Sequence, residues 1–169
     1  MAPKLGVVLA LRPRFAQLIY EGKKRVELRR AFAGSGMRIA FIYETAPVSA
    51  VTGFFLVKGS LSMTPESAWR RFDGTLGLDR NEFNNYVKGC DEVKILEIGK
   101  SARLTSPLPL RALTGRDSVP QSFCYISQTL PRSVGEKLRE IGEASARWPG
   151  PSAQDSVSTG LMVVRQSDE

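Results

Sequence analysis

The sequence predicts an α+β domain with a small, strongly curved mixed or antiparallel sheet and flanking helices. The chain opens with a strand and a helix, and its later apolar segments are mostly short and alternate with a period of two. Predicted helices occur between some of these strands but do not follow each strand in turn, which argues against a doubly wound fold. A chain of 169 residues, 42% hydrophobic and 24% charged, is long enough for one domain with a sizeable core.

The first elements follow from apolar runs and from the residues that interrupt them. The run at 5–11 predicts a buried strand, Pro13 suits the first turn of a helix, and Gly22 suits its end. Apolar and polar residues then alternate over 26–29, which predicts a half-buried strand, and again over 39–44.

The middle of the chain predicts a long strand, two helices and a further strand. Residues 48–61 are rich in β-formers and contain two glycines, so a strand bent at a glycine is expected. Thr64 caps a helix that runs to Phe72, and Asp79 caps another that ends near Gly89. Residues 93–104 alternate as a strand.

The last third of the chain is less regular. Prolines at 107, 109 and 120 predict a loop-rich stretch, followed by a short strand or turn at 123–126 and a helix after Pro131. Residues 145–169 begin with a segment rich in Ser, Pro and Gly, which predicts a flexible tail after a domain at 1–144.

Composition excludes several kinds of chemistry. The chain has no histidine, so Ser-His-Asp and Cys-His catalysis are excluded, and with two cysteines no metal site or other cofactor is expected. Cys90 and Cys124 are predicted to be reduced thiols in a cytoplasmic protein. No apolar segment approaches the roughly 20 residues of a membrane span, so no membrane partner is expected.

The charge of the protein is concentrated near its start. Residues 1–40 contain nine Lys and Arg against two Glu, which gives the whole formal charge of +7, while 41–169 hold fifteen charges of each sign. Residues 22–30, with the sequence Gly-Lys-Lys-Arg-Val-Glu-Leu-Arg-Arg, place the single carboxylate of Glu27 among five cations. A concentrated positive field with one embedded acid predicts a site for a polyanion.

The same segment resembles the signature of ASCH domains, G-x-K-x-x-E-x-R, which Gly22, Lys24, Glu27 and Arg29 fill. The resemblance continues in order from about residue 5 to 130. Other segments that carry it are Ile42–Pro47, Glu82–Tyr86 with Gly89, and Pro120–Phe123.

The resemblance implies a small PUA-like β-barrel with flanking helices and a cleft over one barrel face, lined by the signature residues. It also implies an RNA or nucleotide-like ligand. Some small relatives are amidohydrolases acting on acetylated cytidine, and others have been linked to RNA cleavage. Those amidohydrolases carry Lys-x-x-Thr, whereas this chain has Glu27 in place of the threonine.

Strand geometry indicates how the signature residues meet. Glu27 and Arg29 share one face of a strand, so Lys24 must lie in the preceding turn to reach them. Arg29 suits a phosphate or a base edge, and Glu27 suits an exocyclic amine. Lys24 has two open roles: crowding by Lys23, Arg25 and Arg29 favours a neutral amine that acts as base or nucleophile, and a close Glu27 favours a fixed ammonium.

Further residues complete the predicted site. Tyr86 and Ser122 are candidate ligand contacts, and Lys23, Arg25 and Arg30 are candidate phosphate contacts. The alternatives are structural: a solvated helix end for the lysines, an exposed ion pair for Glu27 and Arg29, core packing for Tyr86, and a hydroxyl-to-backbone bond for Ser122.

Three functions are compatible with these residues. The first is a module that binds RNA, single-stranded nucleic acid or a nucleotide in a cationic cleft. The second is a hydrolase, an amidohydrolase on a modified nucleoside or a ribonuclease, with Lys24 as base or nucleophile and Glu27 as its partner. The third is a ligand-responsive regulator that reaches a protein partner through the tail.

Overall fold

One six-stranded sheet carries the fold. The structure, a computed structural model, describes residues 6–32, 36–119, 123–126 and 130–142. Its strands are β1 (Gly6–Leu11), β2 (Val26–Arg29), β3 (Ile39–Glu44), β4 (Ala50–Met63), β5 (Val93–Leu108) and β6 (Phe123–Ile126). The α-helices in these ranges are α1 (Pro13–Tyr20), α2 (Pro65–Phe72), α3 (Arg80–Val87), α4 (Leu110–Thr114) and α5 (Arg132–Glu140).

The strand order is β2-β5-β4-β3-β1-β6. The β1–β3 pair is parallel, and the other neighbouring strands are antiparallel. In the described part of the chain the ladder leaves β2 at one edge and β6 at the other, so the curled sheet is a half-barrel and not a closed one. The α+β class with a small mixed sheet is therefore confirmed.

The curvature comes from irregularities in the two longest strands. The pairing of β4 with β5 shifts register three times, first between Val51 and Gly53. Bulges of this kind bend a strand and increase its twist. A Cβ at Gly53 would lie 2.2 Å from the carbonyl oxygen of Ala102 and 2.4 Å from the hydroxyl of Tyr20, so only glycine fits. The predicted glycine bend is thus confirmed.

The helices pack on the sheet in three apolar clusters. Helices α4 and α5 cover one cluster, which includes Phe41 and Phe54. Helix α1 covers a second, and α2 and α3 cover a third around Val26 and Phe83. Val26 and Leu28 of β2 belong to the third cluster, and Glu27 and Arg29 of the signature alternate with them along the strand.

The predicted caps of α2 and α3 are confirmed. The Oγ1 atom of Thr64 accepts from the amide of Ser67 at 3.3 Å. At Asp79 both halves of a capping box form: its carboxylate accepts from the Glu82 amide at 2.8 Å, and the Glu82 carboxylate accepts from the Asp79 amide at 3.0 Å.

The loop-rich stretch predicted after Pro107 is partly wrong. Strand β5 continues to Leu108 and is followed directly by α4. The strand tolerates Pro107 because Val51 pairs with Leu108 while Gly53 pairs with Arg103, so the extra residues of β5 form a bulge.

Several predictions fall on residues outside the described ranges. These are the Pro120–Ser122 segment and the tail at 145–169, so the proposed domain limit stays a prediction. Cys90 and Cys124 are free and partly buried, and burial raises the pKa of the Cys124 thiol to about 11. Among the described helices, none has the length and apolar character needed to cross a membrane.

Candidate functional site

A tight turn after α1 brings Lys24 towards the sheet. Gly22 adopts the left-handed conformation with φ of +73°, which costs a residue with a Cβ about 1–2 kcal/mol. Beyond it, the amides of Lys23 and Lys24 both donate to the carbonyl of Leu18, at 2.9 and 3.0 Å. This turn sends two neighbouring lysines in different directions: the Lys23 side chain is 69% exposed and that of Lys24 only 3%.

Lys24, Glu27 and Arg29 form a buried charged triad. The Lys24 Nζ lies 3.2 Å from Glu27 Oε2, and the Arg29 Nε lies 3.1 Å from Glu27 Oε1. Each carboxylate oxygen therefore faces one cation, and all three side chains are less than a tenth exposed. The predicted convergence of these residues is thus found, and the alternative of an exposed ion pair on an edge strand is wrong.

The triad is anchored to distant parts of the chain. The Lys24 Nζ donates to the carbonyl of Leu76 at 2.6 Å, and an Arg29 terminal nitrogen donates to the carbonyl of Ala10 at 3.3 Å. Because Ala10 lies on β1, Arg29 links two strands that are not neighbours in the sheet. In both contacts the Nζ of Lys24 is the donor, to the carboxylate of Glu27 and to the carbonyl of Leu76.

A cleft of about 460 Å³ opens above the triad. On the α1 side it is lined by Arg12, Arg14 and Phe15. On the α3 side it is lined by Glu82, Asn85 and Tyr86. Its charged lining comprises four cations and two carboxylates, a net charge of +2 that favours an anionic ligand.

Tyr86 lies on the cleft wall, as predicted. Its hydroxyl donates to the carbonyl of Leu28 at 3.4 Å, and the residue is 37% exposed. Burial of the hydroxyl raises its pKa, so the phenol is protonated at neutral pH and can serve as a hydrogen-bond donor. The neighbouring Phe83 is fully buried and belongs to the core.

The other predicted contacts flank the cleft rather than line it. A Cβ at Gly22 would meet no other atom within 4 Å, so the contribution of this glycine is the shape of the turn. Lys23 pairs with Glu21 at 2.6 Å, and the Arg25 Nε donates to the Gly22 carbonyl at 3.4 Å. The Arg30 Nε lies 3.3 Å from the sulfur of Cys90. Ser122 lies outside the described residues.

Four polar residues of the cleft were not predicted as site residues from the sequence: Arg12, Arg14, Glu82 and Asn85. A usable signal for the first two was the Arg12-Pro13-Arg14 junction, which places both cations where β1 ends and α1 begins. For the others it was the spacing of Glu82, Asn85 and Tyr86 on α3, which puts them on one helical face.

The chemistry of the site is that of charge and hydrogen bonding. Within the described residues, no group of three or more His, Cys, Asp or Glu side chains is placed to hold a metal ion. The cations, the two carboxylates and the phenol hydroxyl of the cleft are the groups that can orient an anion or move a proton.

Known proteins similar to this chain were found by sequence and by structure. No family model matches the chain. It is 30% identical over 122 residues to an ASCH domain-containing ribonuclease of Zymomonas mobilis, and the aligned region covers 70% of this chain and 82% of that protein.

By structure the chain resembles crystal structures of ZmASCH from the same organism. A serine-to-alanine variant gives a TM-score of 0.68 at 23% identity, covering 83% of this chain and 99% of ZmASCH. A second crystal structure, of ASCH from Zymomonas mobilis, gives a TM-score of 0.66 at 24% identity, covering 80% of this chain and 94% of that one.

Proposed function

Because the chain belongs to the ASCH domain family, we propose that it binds RNA in the cleft above Lys24, Glu27 and Arg29. The observation that carries the proposal is the buried triad itself. Burying three charges is costly unless they are paired. The triad has two cations and one carboxylate, so it presents a net positive charge to a ligand in the open cleft. A ribonuclease relative makes RNA the favoured anion.

The size of the cleft favours one nucleotide of a single strand. About 460 Å³ lies within the range of small-molecule sites and is too little for a duplex. In this arrangement Arg29 contacts a phosphate or a base edge, Glu27 orients both cations, and Tyr86 donates or stacks from the wall. Lys23, Arg25 and Arg30 then contact phosphates outside the cleft.

RNA binding is expected to weaken steeply with salt. The logarithm of the association constant for a short fluorescein-labelled single-stranded RNA should fall against log salt with a slope of about −2 if three phosphates are contacted, about −0.7 for each. Fluorescence anisotropy over a salt series measures this slope. A duplex of the same sequence is the control and should bind more weakly. No binding, or an affinity that does not change with salt concentration, would contradict the proposal.

A second candidate function is ribonuclease activity. The observation that favours it is an acid–base pair: the Nζ of Lys24, a proton donor, lies 3.2 Å from Oε2 of Glu27, a proton acceptor, beside Arg29. In the proposed step the RNA 2′-oxygen attacks the adjacent phosphorus and the bond to the 5′-oxygen breaks. Glu27 takes the 2′-hydroxyl proton, Lys24 gives one to the leaving 5′-oxygen, and the pair resets by proton transfer between them.

Cleavage by this route has a defined product. Incubation with single-stranded RNA should yield fragments ending in a 2′,3′-cyclic phosphate, and 2′-O-methyl RNA should not be cut, because its 2′-oxygen carries no proton to remove. Mass spectrometry of the fragments identifies their ends. Fragments with 5′-phosphates, or cleavage of the 2′-O-methyl RNA, would contradict the mechanism. Acetylated cytidine, tested in parallel, addresses the amidohydrolase alternative.

The remaining proposals concern the surroundings of the protein. The cytoplasmic location and a protein partner reached through residues 145–169 stay predictions from the sequence. Comparing partner recovery by the full chain and by a chain ending at residue 144 tests the second of these.

A further inference from the structure

An ion pair joins the two walls of the cleft at its mouth. Arg14 extends from the first turn of α1, and its terminal nitrogen contacts Oε1 of Glu82 in the first turn of α3. Both residues line the cleft. The pair therefore bridges the two walls of the cleft, and both of its side chains are partly open to solvent.

We propose that Arg14 is a phosphate-binding residue and that Glu82 occupies it in the free protein, so that RNA binding exchanges a carboxylate for a phosphate. The inference rests on the proposed RNA-binding function. A guanidinium recognises carboxylate and phosphate oxygens with the same planar set of donors, so either anion satisfies Arg14. Glu82 is then an internal competitor of the ligand.

Exposure separates this pair from the triad. The side chains of Arg14 and Glu82 are 50% and 35% exposed, whereas those of the triad are less than a tenth exposed. The two cations of the triad, Lys24 and Arg29, are also held by backbone carbonyls. Exposed ion pairs contribute little to stability, so exchanging one partner is easy. Among the cations that line the cleft, Arg14 is thus well suited to change partner when a ligand arrives.

Glu82 is held in place by the helix. Its other oxygen, Oε2, accepts from the Asp79 amide at 3.0 Å in the capping box, so the carboxylate does not leave when Arg14 does. That amide, and next the Arg14 guanidinium, lower the pKa of Glu82, which keeps it negative at neutral pH. A fixed negative charge at the mouth both competes for Arg14 and repels phosphate.

The proposal predicts that replacing one carboxylate of the cleft improves RNA binding. Glu82→Gln keeps the capping box, which glutamine also completes, and frees Arg14. Its affinity for a fluorescein-labelled 2′-O-methyl single-stranded RNA should rise about three- to tenfold over the wild type. Arg14→Gln should lower the affinity by a similar factor and make the salt slope shallower by about 0.7.

A matched control separates local from overall charge. Glu66→Gln removes the same charge from a similar exposed pair, that of Glu66 with Arg80 at 2.8 Å, which lies outside the cleft lining. Its affinity should stay within about twofold of the wild type. In the double variant Arg14→Gln/Glu82→Gln, the gain from Glu82→Gln should shrink, because no guanidinium remains to be freed.

The outcomes distinguish this inference from the proposed function. Normal salt-dependent binding by the wild type, with Glu82→Gln equal to Glu66→Gln or weaker than the wild type, overturns the exchange at Arg14 and leaves RNA binding intact. Absence of RNA binding by the wild type and every variant overturns both. A larger gain for Glu82→Gln than for Glu66→Gln, reduced when Arg14 is replaced, supports the exchange.

Discussion

Lys24→Met is expected to lower the rate of RNA cleavage by a factor of about a hundred or more, the usual contribution of a positioned acid or base. Methionine replaces the apolar stem of the side chain, one atom shorter, but cannot donate to Leu76 or hold a charge beside Glu27. Arg29 still pairs with Glu27 at 3.1 Å, so the carboxylate keeps a cation and the fold should persist. Initial rates on a single-stranded RNA measure the loss, and circular dichroism checks the fold.

Lys23→Met is the matched control for this variant. The two lysines are neighbours in the chain and the substitution is the same, but the Lys23 side chain is 69% exposed and pairs with Glu21 on the surface. Cleavage by Lys23→Met should stay within about a few fold of the wild type, as expected for a peripheral phosphate contact. Equal cleavage rates for the Lys24 and Lys23 variants would show that Lys24 takes no part in the cleavage step.

Glu27→Gln is expected to lower the free energy of unfolding by about 3 kcal/mol, the lower end of the range for breaking a buried ion pair. The substitution would remove the negative charge that faces both of the buried cations, Lys24 and Arg29. Urea unfolding followed by tryptophan fluorescence measures the change.

Two comparisons test the cause of that loss. Glu21→Gln removes a carboxylate from an exposed pair with Lys23, so its urea midpoint should stay close to that of the wild type. Adding Lys24→Met to Glu27→Gln should recover part of the lost stability, since it removes one of the two cations that the carboxylate had balanced. A Glu27→Gln variant as stable as Glu21→Gln would show that the triad is not a buried charge cluster in solution.

Much of the secondary structure was predictable because its signals are local. Pro13 and Gly22 bound a helix, Thr64 and Asp79 cap two others, and alternation marks β2 and β3. The α4 helix and the continuation of β5 through Pro107 were missed. For β5, the pairing with a bent β4 overrode what proline signals by itself. Helix α4 begins directly after Pro109, which stands at its N-cap.

The sequence by itself determined the class of fold, the concentration of charge and the signature residues Lys24, Glu27 and Arg29. Alternation in a strand also placed Glu27 and Arg29 on one face. These conclusions depend on residues within a few positions of one another, where backbone geometry sets which side chains can meet.

Only the tertiary structure decided which lysine is buried and what surrounds the triad. Lys24 differs from Lys23 in that it donates to the carbonyl of Leu76, fifty-two positions along the chain. Arg29 donates to the carbonyl of Ala10. The second wall of the cleft comes from α3, and the Arg14–Glu82 pair joins segments sixty-eight residues apart. Such contacts arise because the half-barrel folds β1, β2 and α3 around one space, which no local pattern of residues records.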